Sequence, residues 1–453
     1  MPEILPQSVV SPFVNVTTLP AKKDTPVENR IERFQNRHIG IISTRIAGTD
    51  GVSLEIEKWA AVLEKEGFTC FYFAGELDRA TERSYPVQEA HFKHPDVQDI
   101  YISCFDVEIR TRETTDKLHR IKNHLKDHLE SFVNQFEIGM LLIENALTIP
   151  LNLPLGVALT EFIMETGMPT IAHHHDFFWE RDRFTNNAVA DYLSLAFPPN
   201  LPSILHVVIN SHAGAQLSLR TGISPLVCPN VMDFAHPPAP PDAYAADVRQ
   251  SLNLEKDELL ILQPTRVVQR KGIEHAIELV HRLERKAKLI ISHASGDEGY
   301  DYELRLREYS KLMGVNTLFV SDIINEHRGT TSDGRKIYTL EDIYPHADLV
   351  TYPSTFEGFG NAFLEAVYFR KPVVVNNYSI YHKDIKPKGF QVIEIDGYVT
   401  GDAVLQANRI LEDAALRQRM VDHNFELGRR FFSFEVLESQ LKAFMMVHRM
   451  GVS

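Results

Sequence analysis

Residues 38–75, HIGIISTRIAGTDGVSLEIEKWAAVLEKEGFTCFYFAG, carry the pattern from which the rest of the chain can be read. The short apolar run HIGIIST breaks at a loop containing Gly48, Asp50 and Gly51. Beyond the loop, Val52, Ile56, Trp59 and Leu63 recur at steps of three and four, the spacing of one helix face, and Gly67 stops the run. FTCFYFAG then reads as a second buried strand. Strand, helix, strand is the order that builds a parallel sheet.

The alternation continues on both sides of a break. TTDKLHRIKNHLKDHLESFVNQF predicts a long amphipathic helix, with His119, His124 and His128 as solvated or capping residues and not ligands. IGMLLIEN, MPTIAHHHD and HVVINS predict strands that end in polar residues. After LVCPNVMDF, the run HPPAPPDAYAAD gathers prolines and small polar residues as a linker does. The pattern then restarts with ELLILQPTR, the helix IEHAIELVHRL, AKLIISH, a helix around YELRLREYSKLMG, and NTLFVSD. We expect an α/β protein of two Rossmann-like domains facing across a cleft: residues 1–230, residues 231–431, and a last helix in 432–453 packing back on the first domain. The binding site is expected between the halves, at the carboxyl ends of both sheets.

At 453 residues and 44% hydrophobic, the chain can bury two cores. A net charge of -14 argues against nucleic acid or an anionic membrane as partner, so an anionic ligand must be held by a few placed cations. Cys70, Cys104 and Cys228 form no CxxC pair and no even disulfide set, which suggests a reducing compartment. The opening MPEILPQSVVSPFVNV has no basic start followed by a long apolar run, and no stretch approaches the ~20 apolar residues of a spanning helix. A cytoplasmic protein without membrane insertion is expected, and a homo-oligomer is compatible with the sequence.

Four motifs carry chemistry. In ADLVTYPSTFEGFGNAFLEAVYFRKPVVV, a buried strand delivers the chain to Glu357-Gly358-Phe359-Gly360, from which a helix starts that carries Glu365. Glycines let the backbone approach a ligand, and free amides at a helix start favour phosphate oxygens. Two carboxylates flanking that phosphate can accept hydrogen bonds from sugar and ribose hydroxyls. In PTRVVQRKG, Arg266 and Lys271 stand at the end of a strand and can meet the charge that builds on a departing diphosphate, with Arg270 expected as a solvated neighbour. A cation at a helix start opposes the macrodipole, so Lys271 has no structural reason to be there. In AHHHDFFWERDRF, neighbouring strand side chains point to opposite faces, and no Cys or carboxylate stands at ligand spacing, so no metal is expected. Glu180, Arg181 and Arg183 follow on an expected helix. The fourth motif is the glycine loop AGTDGVS.

Glu357 and Glu365, together with the Arg-x4-Lys spacing of Arg266 and Lys271, resemble the family 4 glycosyltransferases. CPNVMDF is similar to that family's Pro-Asn-Gly-Val-Asp segment, with Val231 in place of the glycine. The resemblance implies a GT-B fold and a retaining hexosyltransferase without metal, using a nucleoside diphosphate sugar such as GDP-mannose or UDP-glucose. It implies that Glu357 contacts the transferred sugar and Glu365 the ribose, with Gly51, Gly358, Phe359 and Gly360 at the donor. It also implies that His174 or His175 lines the reaction centre, and that Asp176 and Asp50 face the acceptor. Arg181 and Asn145 are further acceptor candidates. The stretch ENALTIPLNLPLG, with Glu144, Asn145 and Asn152, is similar to members that build small osmolyte glycosides. The expected acceptor is therefore a glycerate glycoside, or, as the nearest rival, a sugar phosphate. A nucleotide-sugar epimerase and a non-catalytic carbohydrate-binding protein are the readings outside transfer.

Overall fold

The apolar runs become two parallel sheets. Strands β1 (His38–Ile42), β2 (Thr69–Ala74), β3 (Ser84–Pro86), β4 (Met140–Glu144), β5 (Thr170–His174), β6 (Ile204–Val208) and β7 (Leu226–Val227) lie in the order β3-β2-β1-β4-β5-β6-β7. The later strands are β8 (Leu259–Gln263), β9 (Ala287–Ile291), β10 (Asn316–Phe319), β11 (Gly329–Thr330), β12 (Lys336–Ile337), β13 (Leu349–Tyr352), β14 (Val373–Asn376) and β15 (Ile393–Ile395). Six of them form a second sheet in the order β10-β9-β8-β13-β14-β15, and β11 and β12 make a small antiparallel ribbon. The computed structural model describes residues 36–48, 50–295 and 299–450, with side chains to 445. The amino-terminal segment on which the leader reading rests lies outside the described residues.

Each sheet follows the doubly wound order, which reverses between β1 and β4 in the first and between β8 and β13 in the second. Ligands bind such sheets at the carboxyl edge of the reversal, where the crossovers on either side leave in opposite directions. β4, β5 and β9 are buried along their whole length, as parallel strands covered on both faces are.

Helix α1 (Gly51–Lys65) starts where Asp50 caps it, with Oδ1 accepting from the amides of Val52 at 3.0 Å and Ser53 at 3.2 Å. It buries Ile56, Trp59 and Leu63 against the first sheet. The helix over 112–135, labelled α2 (Arg112–Gln135), extends along the opposite face with α3 (Leu153–Thr166). On α2, His119 meets the Tyr192 hydroxyl, His124 meets Glu89 and His128 meets Tyr85, so these histidines hold side-chain contacts and cap nothing. In the second half α4 (Ile273–Arg282) follows β8, and α5 (Asn361–Tyr368) follows β13. The terminal α6 (Phe434–Met450) packs Leu437, Leu441 and Phe444 into the cluster of Ile56 and Trp59, and Glu438 pairs with Lys65 at 3.0 Å.

HPPAPPDAYAAD is fastened to the second half: Asp242 pairs with Arg328 at 2.6 Å and Asp247 with Lys336 at 2.8 Å. The three cysteines are buried and unpaired, and burial pushes the Cys104 thiol up to about 11. Among the described residues no helix is long and apolar enough to cross a membrane.

Candidate functional site

The loop after β8 is built so that its cations face the loop after β13. Gly272 adopts a left-handed conformation (φ +58), and a Cβ there would lie 2.5 Å from the Pro353 carbonyl, so only glycine lets the two loops touch. The Arg270 carbonyl accepts from the Thr355 amide at 2.8 Å, which fixes the register between them. Lys271, 11% exposed, then pairs with Glu357, 10% exposed, and its ammonium lies over the Tyr352 ring at 5.5 Å. Arg270 also reaches Glu357, at 3.3 Å, so the expectation that Arg270 is merely solvated is corrected: the fold of the 353–357 loop carries the glutamate to it.

Two cations therefore meet one carboxylate, and Lys271 feels Arg270 and, beyond it, Arg266 as like charges. Burial lowers the Lys271 ammonium and the two arginines add to that, outweighing Glu357. Burial raises Glu357, but Lys271 and Arg270 outweigh it and hold the carboxyl below its usual range. The carboxylate is ionised, and positive charge is left over. His293, at the end of β9, joins the cluster; burial and the charges of Arg266 and Lys271 keep its ring neutral to lower pH than usual. The strand AKLIISH ends on this residue, and its place at a carboxyl edge is the signal that could have found it.

Glu365 projects from α5 with Oε2 accepting from the Tyr344 hydroxyl at 2.8 Å. Burial raises its carboxyl above the usual range, while Tyr344 and the charges of Lys58 and Lys271 oppose the rise. Lys271 thus lies within electrostatic reach of Arg266, Glu357 and Glu365. Lys58, on α1 of the first half, is a second residue that sequence reasoning missed.

The turn between the two glutamates is glycine-dependent. Gly360 has φ +124, and a Cβ there would lie 2.3 Å from the Tyr378 hydroxyl. α5 starts from Gly360 without a side-chain cap, which leaves its first amides for a ligand. The Gly358 carbonyl accepts from Asn210 Nδ2 of the first half at 2.6 Å. Phe359 is corrected: the residue is 3% exposed, its ring packs edge-on against Phe432 at 5.3 Å and its carbonyl accepts from the Tyr378 hydroxyl at 2.8 Å, so its side chain is not open to a donor.

In the first half the structure separates the histidines. His174 is fully buried, with Nε2 at 2.8 Å from His206 Nδ1 and its ring against Phe177, so it is removed from the reaction centre. Burial keeps it neutral, well below the usual imidazole range. His175 is partly open, and its carbonyl lies 3.5 Å from where a Gly358 Cβ would stand. The carboxylate partner not found in sequence is supplied by the neighbouring strand: Glu144 meets His173 Nδ1 at 3.0 Å and His175 Nε2 at 3.1 Å. These three groups offer ligand atoms within 4.8 Å of one another. Their N···O separations of 3.0–3.1 Å are hydrogen-bond distances, shorter than the roughly 3.3 Å edges of a tetrahedron with metal bonds of about 2.05 Å.

Other acceptor candidates are occupied. Asp50 spends both oxygens on the α1 cap, on Ser53 Oγ at 2.7 Å and on Arg45 at 2.9 Å. Gly51 is the exposed first residue of α1, with open space where a Cβ would be. Asn145 organises the turn after β4: Oδ1 accepts from the His175 amide at 3.1 Å, and Nδ2 donates to Asp176 at 3.1 Å. Asp176 also pairs with Arg181. The expected helix over Glu180, Arg181 and Arg183 is replaced by two short 3-10 turns, because Glu180 folds back to accept from the Phe177 amide at 2.9 Å.

Two doubly wound sheets with a cation cluster at one switch point and a histidine cluster at the other make a GT-B glycosyltransferase architecture. Residues 245–426 match the family model described as Glycosyl transferases group 1. The chain is 34% identical over 438 residues to the mannosylglucosylglycerate synthase of Thermotoga maritima, covering 89% of this chain and 98% of that protein. Identity to the enzyme of the same name from Petrotoga mobilis is 31%, over 79% and 86% of the two chains. Among solved structures, the sucrose-phosphate synthase of Thermosynechococcus elongatus superposes with a TM-score of 0.62 at 17% identity, over 92% and 100% of the chains. The chain belongs to the group 1 glycosyl transferases, as the resemblance carried by the paired glutamates and the Arg-x4-Lys element implied. Enzymes of this class take their sugar from a nucleotide-sugar donor.

Proposed function

We propose that the chain transfers a mannosyl group from GDP-mannose to the hydroxyl of a glucosylglycerate, with retention of configuration and without a metal at the diphosphate. UDP-glucose is the alternative donor and a sugar phosphate the alternative acceptor. The single observation that carries this reading is the Lys271–Glu357 pair, flanked by Arg270 and Arg266, at the β8/β13 switch point. Its uncompensated positive charge suits a diphosphate, on which negative charge grows as the glycosidic bond breaks. The names of the two synthases support the sugar and the glycerate. In this reading residues 1–230 hold the acceptor and 231–431 the donor, and the enzyme works in the cytoplasm.

Glu357 accepts from hydroxyls of the transferred sugar and Glu365 from those of the ribose, while the free amides after Gly360 meet a phosphate. The acceptor hydroxyl enters on the face the diphosphate leaves, and the departing phosphate oxygen takes its proton, so no side-chain nucleophile is needed. Purified protein with GDP-mannose or UDP-glucose, each with and without glucosylglycerate, tests this. Acceptor-dependent GDP release, an α-linked product by NMR and insensitivity to EDTA are expected. A sugar nucleotide altered without acceptor would favour epimerisation, and no turnover with any pair would leave only binding.

A further inference from the structure

Apart from the cation cluster, the densest group of buried titratable side chains stands at the carboxyl ends of β4 and β5. Glu144 is wholly buried, and a carboxylate there must be paired. Its oxygens lie 3.1 and 3.0 Å from Nδ1 of His173, and Oε2 is also 3.1 Å from Nε2 of His175. His173 is 1% exposed and its ring packs tilted against Trp59 of α1 at 4.4 Å, which makes it a fixed wall. His175 is 13% exposed and is the one member of the trio open to the cleft. With Nε2 committed to Glu144, its Nδ1 has no hydrogen-bond partner among the described residues.

We propose that Glu144 is a positioning residue for the transfer reaction: it orients the His175 ring and keeps it an imidazolium, so that Nδ1–H donates to an anionic or developing-anionic oxygen of the substrates. The inference rests on the transferase reading and adds the origin of a second cation, on the acceptor side of the cleft. The anions facing His175 are Glu144 on β4, Glu55 on α1 and Asp176 next in the chain. His173 and His174 are its titratable neighbours on β5, and the facing turn contributes uncharged Gly358. Burial lowers the His175 pKa, but the hydrogen bond and charge of Glu144 more than reverse this, so the folded value lies above the ordinary 6.5. The imidazolium, and with it the activity, is retained to higher pH and lost as pH rises through that value.

The test follows kcat/KM for acceptor-dependent nucleoside diphosphate release between pH 5.5 and 8.5 in the full chain. Glu144→Gln is expected to move the alkaline fall to lower pH by about one unit, a loss of about tenfold relative to wild type above the limb and much less at pH 6. Glu144→Asp, which keeps the charge, should retain the limb at lower kcat; it also serves if Glu144→Gln fails to fold. In a His175→Gln background the limb should be gone, and Glu144→Gln should change the profile no further. An equal loss at every pH, an undiminished effect of Glu144→Gln without His175, or a stoichiometric divalent ion lost with Glu144→Gln overturns the proposal. NMR titration of the His175 ring in substrate-free protein reads the same shift without turnover. An inactive wild type with a Glu144-dependent ring would therefore sink the transferase reading, whereas a ring indifferent to Glu144 sinks this one.

Discussion

Replacing Lys271 with Met removes one partner of an ion pair whose side chains are only 11% and 10% exposed. Breaking such a pair costs about 3–5 kcal/mol when the remaining charge is stranded. Glu357 is not wholly stranded, because Arg270 stays 3.3 Å away at the rim, so the lower end, about 3 kcal/mol, is expected. For domains of this size that is a fall in Tm of roughly 6–12 °C. The kinetic loss has a separate origin: a cation preorganised toward departing charge is worth about 10²–10³ in kcat. The double variant Lys271→Met, Glu357→Gln separates the two. Neutralising the orphaned carboxylate should return most of the thermal loss and none of the rate. Thermal melts and acceptor-dependent turnover at 25 °C measure both. If Lys271→Met turns over within threefold of wild type, or if Glu357→Gln restores its rate, the pair is structural and the reasoning fails.

Arg266 is exposed and makes no ion pair among the described residues, so Arg266→Ala should leave Tm within about 1 °C while lowering kcat/KM for the donor at least about tenfold; an unchanged kcat/KM would remove Arg266 from the site. Gly360→Ala must hold φ +124 and displace the Tyr378 hydroxyl, which donates to the Phe359 carbonyl at 2.8 Å; a loss of about 2–3 kcal/mol in denaturant unfolding is expected, with weaker donor binding, and near-wild-type stability would contradict the geometry. Stability should also fall in mild acid. Burial holds His174 well below 6.5 and His206 at about 4, so the unfolded chain binds more protons between those values. The contribution is complete above pH 6.5 and erodes as pH falls toward 4, by up to about 1.4 kcal/mol per unit per group. Glu144, held down to about 2 by its histidines against the upward push of burial, starts to lose its share only below 4.5. His175, held above 6.5, gains stability over the same range, so the comparison is made in a His175→Gln background, where unfolding free energies at pH 7.5 and 5 that agree would refute the buried-neutral assignment.

How much of this was legible in sequence follows from the range of each interaction. Strands and helices were, because apolar spacing is local: Val52, Ile56, Trp59 and Leu63 state their face without any partner. The turn that starts α5 was legible for the same reason, its glycines and Glu357 being consecutive and Glu365 following on the helix they open. The histidines were only half legible. Alternation required that His174 and His175 point to opposite faces, but which one meets the cleft depends on α1 and β6, which the triplet itself does not encode. Glu144 was quoted in a motif yet not joined to the histidines, because the pairing of β4 with β5 that sets it opposite His173 spans 29 residues. Arg270 was misread for a like reason: its carboxylate lies 87 positions away, and the contact exists only because Gly272 admits the Pro353 loop. Phe359 was overvalued because a motif names residues and not atoms. There the ring faces the core.

The two clusters are electrically complementary to different stages of one reaction, and this bears on how they are joined. In the proposed reading the cations around Glu357 are in excess over it, so they could take a diphosphate without any proton moving. On the acceptor side His175 owes its charge to Glu144, a carboxylate that never meets the cleft. The two switch points touch through backbone: Asn210 donates to the Gly358 carbonyl, and the His175 carbonyl lies beside the same glycine. A Cβ on Gly358 would stand 3.4 Å from Ile209 and 3.5 Å from the His175 carbonyl, ordinary contact distances, so the turn lies directly against the first half. In the proposed reading a donor seated on the 357–360 turn would rest against the strand end that presents His175. In that reading the two sites share a wall, which suits a transferase that must exclude water before the sugar bond weakens.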